Sequence, residues 1–83
     1  MSLEKDLIIN SSQSEPFVED FIYLTNEVIR YDNNTSEIDL NYKYDLKDKF
    51  KFKYSLNTYE LYYNIGIVAK YLNGKIAQSE ENK

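Results

Sequence analysis

Lys49, Lys51 and Lys53 alternate with Phe50, Phe52 and Tyr54, and Lys43 and Lys47 stand just upstream. Lysines on phosphates, beside rings that stack on bases, are the working parts of a single-strand nucleic-acid groove. That chemistry requires cations and rings to reach one ligand. A period of two puts them on opposite faces of a strand. The rings are then expected to form a core, and the lysines a solvated row that discourages edge-to-edge association. Arginine, the better reader of phosphate and base edges, occurs once. Nucleic-acid contact through Lys43, Lys47, Lys49, Lys51 and Lys53 is therefore the alternative reading, not the leading one.

Other chemistries lack their parts. The 83 residues contain no Cys, hence no thiol nucleophile, disulfide or thiolate metal site. They contain no His, the usual general base and commonest metal ligand. Two glycines cannot make a phosphate cradle. Asp32, Asn34 and Ser36 imitate the first ligand positions of a calcium loop. However, Glu37 stands where the turn needs Gly, and Lys43 where a bidentate Glu belongs. Glu19 and Asp20 are neighbours on a helix and diverge, so they cannot share a cleft as an acid–base pair. A non-enzymatic chain with no cofactor and no metal is expected.

The elements that must position these residues can be read from their periods. After Ser14, a candidate cap, Pro16 suits a first helical turn. Phe17, Phe21, Leu24 and Val28 then recur at helical spacing, predicting a helix over 16–31. Ile38, Leu40, Tyr42 and Tyr44 alternate with polar residues, predicting a strand over 37–45. Phe50, Phe52 and Tyr54 predict a second strand over 49–55, antiparallel to the first. Asn57 and Glu60 have the spacing of a capping box opening a helix over 58–73, with Gly74 to end it. Residues 1–13 are expected to be loosely ordered or to add a strand at Asp6–Ile9, and 77–83 to be a disordered tail. The expected fold is a single α+β domain of (β)αββα order, two helices packed on an antiparallel hairpin or three-stranded sheet. Its core would be Phe17, Phe21, Leu24, Val28, Ile38, Leu40, Phe50, Phe52, Leu61, Ile65 and Val68.

The last helix carries more rings than one small core needs. Leu61, Ile65, Val68 and Leu72 form one stripe, Tyr59, Tyr63, Ile67 and Tyr71 a second, and Tyr62, Gly66 and Ala69 a third. A helix apolar nearly all round is buried nearly all round, and a chain this short has little material to cover it. A partner interface is expected at Tyr59, Tyr62, Tyr63, Ile67 and Tyr71, with tyrosine suited to the task and Gly66 permitting close approach. A homodimer is its commonest form.

Charge adds a second surface. Residues 1–42 carry nine acidic and two basic side chains, whereas 43–53 carry five lysines and two aspartates. Glu19, Asp20, Glu27 and Asp32 would offer an acidic docking face to a basic protein. No stretch is long and apolar enough to span a bilayer, and the start lacks the basic region of a signal peptide, so a cytoplasmic address is expected. The expected function is a small acidic interaction, regulatory or inhibitor protein, of the sort found in phage and mobile elements.

Overall fold

The computed structural model describes residues 3–9, 15–34 and 36–81. Four helices and no strand occur among them: α1 (Leu3–Asp6), α2 (Glu15–Asp32), α3 (Glu37–Lys53) and α4 (Thr58–Glu81). The expected α+β fold is thus corrected to an all-helical one. The first proposed strand, 37–45, lies inside the single helix α3. The second, 49–55, spans that helix's last residues and its C-terminal turn at Tyr54 and Ser55, and Asp6–Ile9 forms no strand.

Helix α3 has a physical explanation. No Val, Ile or Thr occurs between Asp39 and Asn57, so the β-branched residues, which are stiff in a helix and favour a pleated backbone, are missing there although rings are present. No Asn-Gly or Asp-Gly pair marks a hairpin turn either. A helical stripe is present once lysine stems count as apolar. Lys43, Leu46, Lys47, Phe50 and Tyr54 are buried, at spacings of three and four. The period-two residues scatter instead: Phe50 is buried, whereas Ile38 is 79% exposed and Phe52 89%. Glu37 and Asp39 in the first turn, with Lys51 and Lys53 in the last, oppose the helix dipole.

The helix ends are built from local hydrogen bonds. At the end of α3 the Leu56 N–H donates to the Lys51 carbonyl at 2.9 Å and the Ser55 N–H to the Phe52 carbonyl at 3.3 Å. These are the two bonds of a Schellman cap. They place Ser55 at a φ of 54° and bury Leu56 in the core. The expected capping box opens α4: Asn57 N–H donates to Glu60 Oε1, and Glu60 N–H to Asn57 Oδ1, both at 2.8 Å. Gly74 does not end that helix, which continues to Glu81. The proposed Ser14 cap lies outside the described residues.

Helices α2, α3 and α4 meet around an aromatic cluster. Phe17 and Phe21 stack at 4.7 Å. Tyr54 meets Phe17 edge-on at 4.8 Å, and Phe50 meets Phe21 edge-on at 5.7 Å. Leu24, Leu61, Ile65 and Val68 complete the core. Thr25 is also fully buried, and its hydroxyl has no hydrogen-bond partner among the described residues. A buried, unpaired hydroxyl costs stability that its isostere avoids. Thr25→Val is therefore expected to stabilise the fold by about 1 kcal/mol, read as a higher urea midpoint at unchanged slope.

Candidate functional site: the solvent face of the last helix

Helix α4 buries one face and presents another. Leu61, Asn64, Ile65 and Val68 point inward, while Tyr59, Tyr62, Tyr63, Gly66, Lys70 and Asn73 point to solvent. The molecule measures 38 × 36 × 19 Å, about two helix diameters thick. Lys47 of α3 reaches the Tyr62 edge of that outer face, and the rest of it stays open to solvent. Tyr59 is 70% exposed, Tyr62 49% and Tyr63 38%. The Tyr59 and Tyr63 rings lie 6.0 Å apart, one turn from each other.

The expected five-residue interface divides along its length. Tyr59, Tyr62 and Tyr63 remain outside, but the row Tyr59–Tyr63–Ile67–Tyr71 advances by 40° per step and turns inward. Ile67 packs against the core. Tyr71 is half-buried and, with Leu3, Asp6, Ile67 and Lys70, lines a cavity of about 310 Å³ under the N-terminal segment. The Lys75 ammonium stands 4.8 Å from the Tyr71 ring.

That N-terminal segment is held by a group the sequence reading passed over. Asn64 is fully buried. Its Oδ1 accepts the Ile8 N–H at 2.8 Å, and its Nδ2 donates to the Ile8 carbonyl at 3.0 Å. One side chain thereby satisfies both backbone groups of a residue 56 positions away. The available signal was a lone amide on the apolar stripe Leu61–Ile65–Val68, since a buried amide needs partners.

The five lysines do not form a row. Lys43 reaches Asp32 at 2.5 Å, and that hydrogen bond raises its pKa against the opposing effect of burial. Lys47 is buried between two rings, 5.0 Å from Tyr44 and 4.5 Å from Tyr62, and donates to the Tyr62 hydroxyl at 2.6 Å. This contact ties α3 to the exposed face of α4 and sets Tyr44 beside it. Lys51 donates to Thr58 Oγ1 at 3.2 Å, and Lys53 pairs with Asp20 at 3.0 Å. Lys49 alone of the five has no ion pair or hydrogen bond among the described residues. It lies on the rim of an α2–α3 cleft of about 320 Å³, floored by Leu46 and Phe50 and flanked by Tyr23 and Tyr42.

The acidic residues are likewise dispersed. Glu19 is exposed, but Glu27 pairs with Arg30 at 2.7 Å and Asp32 with Lys43. Asp20 accepts the Tyr54 hydroxyl as well as the Lys53 ammonium. Burial pushes the Asp20 carboxyl up, yet these two hydrogen bonds and the lysine charge outweigh it and hold the group below its ordinary value. Burial and the same bond raise the Tyr54 phenol. Asp20 is thus a structural tie between α2 and α3.

Among the described residues, no three acidic side chains gather as a metal site, and no helix is long and apolar enough to cross a membrane. No known family model, curated protein or solved structure matches this chain.

Proposed function

We propose that the chain is a non-enzymatic protein-binding module of the regulator or inhibitor kind, acting in the cytoplasm through the solvent face of α4. The observation that carries this reading is the grouping of Tyr59, Tyr62 and Tyr63 on one uncovered helix face, with Tyr44 joined to it through Lys47. Tyrosine binds well at interfaces because its large ring loses little rotamer freedom and its hydroxyl can remain hydrated. Scattered exposed rings are ordinary on protein surfaces, whereas a contiguous group is a recognition feature. The absence of His and Cys from the chain supports a binding role over a catalytic one. The nucleic-acid alternative draws little support, because Lys43, Lys47, Lys51 and Lys53 are engaged within the chain.

A photo-crosslinking residue placed at Tyr63, with one at exposed Asn26 of α2 as control, tests the surface in the native cell. A discrete protein adduct from position 63, absent from position 26, is the expected result. Equal adducts from both positions, or none from 63, would remove α4 as the contact face.

A further inference from the structure

Gly66 sits at the middle of the exposed face of α4, and a Cβ built there would meet nothing within 4 Å. The monomer gives it no packing reason. A glycine inside an exposed helix is destabilising relative to alanine. Its use is to let another backbone approach closely, and three tyrosines stand around it. We propose that this face binds a second copy of the chain, with the two α4 helices crossing antiparallel at Gly66. This rests on the reading of α4 as a contact surface and names its occupant.

The helical wheel supplies the complementarity. At 100° per residue, Tyr59, Tyr63 and Lys70 fall to one side of Gly66, and Tyr62 and Asn73 to the other. A two-fold axis beside Gly66, with the helices antiparallel, carries Lys70 of the second copy to the Tyr59–Tyr63 pair. The same axis carries Asn73 of the second copy to Tyr62. Lys70 stands at the border between the outer face and the cavity beside Leu3 and Asp6. It is exposed and has no ion pair or hydrogen bond among the described residues, so its ammonium can turn to those two ring faces. Lys47 already occupies the Tyr62 ring and hydroxyl, and this arrangement brings no second cation there. A parallel crossing would turn Lys70 of each copy to the Tyr62–Asn73 side of the other and leave the Tyr59–Tyr63 pair without a cation.

The area fits a weak, reversible dimer. The exposed parts of Tyr59, Tyr62 and Tyr63 amount to roughly 350 Å², taking whole aromatic side chains at about 150–250 Å². With Gly66, Lys70, Asn73 and flanking stems, each copy buries on the order of 500–600 Å², near the lower bound for a specific interface. Micromolar dissociation is the expected range for so small a patch, although area alone does not fix affinity.

Sedimentation equilibrium of the wild type, Gly66→Leu and Lys70→Glu tests the proposal, with thermal melts of each at a dilution where the chain is monomeric. The wild type is expected to dimerise in the micromolar range. Gly66→Leu should raise the monomer's melting midpoint by about 3–6 °C, leucine being the better helix former, while weakening association at least tenfold. Lys70→Glu should weaken association by about threefold or more without lowering the midpoint. A wild type that stays monomeric at millimolar concentration, or a Gly66→Leu protein that associates as well as the parent, would overturn it. Such a monomer would still give a position-63 adduct with a different protein if α4 is a contact face, so the two failures are distinguishable.

Discussion

Phe50→Ala is expected to cost about 3–4 kcal/mol, whereas Phe52→Ala should change stability by less than about 0.5 kcal/mol. The two rings are two residues apart. A strand would bury both, and their losses would then be alike. On α3 they diverge: Phe50 is 8% exposed and edge-on to Phe21, while Phe52 is 89% exposed. An 83-residue domain has a total stability of about 4–12 kcal/mol at typical values per residue. Phe50→Ala therefore removes a large share of it, and urea unfolding followed by far-ultraviolet circular dichroism will show an early midpoint. Equal losses at the two positions would restore the strand.

Asn64→Leu carries the second large effect. The substitution replaces two hydrogen bonds to the Ile8 backbone with an apolar group of similar size. The Ile8 N–H and carbonyl must then stay unpaired, or the segment must undock and expose Leu7, which is buried. Either course is expected to destabilise by about 2–3 kcal/mol. Undocking limits the loss, because the freed backbone can return to water. Hydrogen exchange separates this from a general weakening: the Ile8 amide should exchange more than tenfold faster than the global loss alone allows. A variant as stable as the parent, with Ile8 still protected, would show that Asn64 does not hold the segment.

Much of the fold was legible where one period stood alone. Phe17, Phe21, Leu24 and Val28 marked α2, Leu61, Ile65 and Val68 marked α4, and the Asn57–Glu60 box marked where α4 starts. In α3 two periods coexist. The visible alternation of lysine and ring conceals a helical stripe because two of its five members are lysines, Lys43 and Lys47, buried by their stems while their ammonium groups find Asp32 and Tyr62. Charge counting treated those lysines as solvated, so the stripe could not be seen. The missing β-branched residues were the better guide.

The site was legible in part for the same reason. Rings at Tyr59, Tyr62 and Tyr63 in excess of what the core needs are readable from the wheel, and they lie outside. Tyr71 and Ile67 are partly covered because the N-terminal segment folds back beside them, held by the Asn64–Ile8 hydrogen bonds and by the burial of Leu7. Three residues of the expected acidic face, Asp20, Glu27 and Asp32, each pair with a cation from within the chain, a pairing that charge counting along the sequence does not show.

The most direct test of the central claim, that the outer face of α4 is where this chain meets a second copy, is a concentration series of backbone amide NMR spectra. Shifts are expected to move together with protein concentration at Tyr59, Tyr62, Tyr63, Gly66, Lys70 and Asn73, with the core amides near Phe17 and Phe21 unchanged. Spectra that do not vary up to millimolar concentration, or shifts gathered instead around Tyr23, Tyr42 and Lys49 in the α2–α3 cleft, would contradict it.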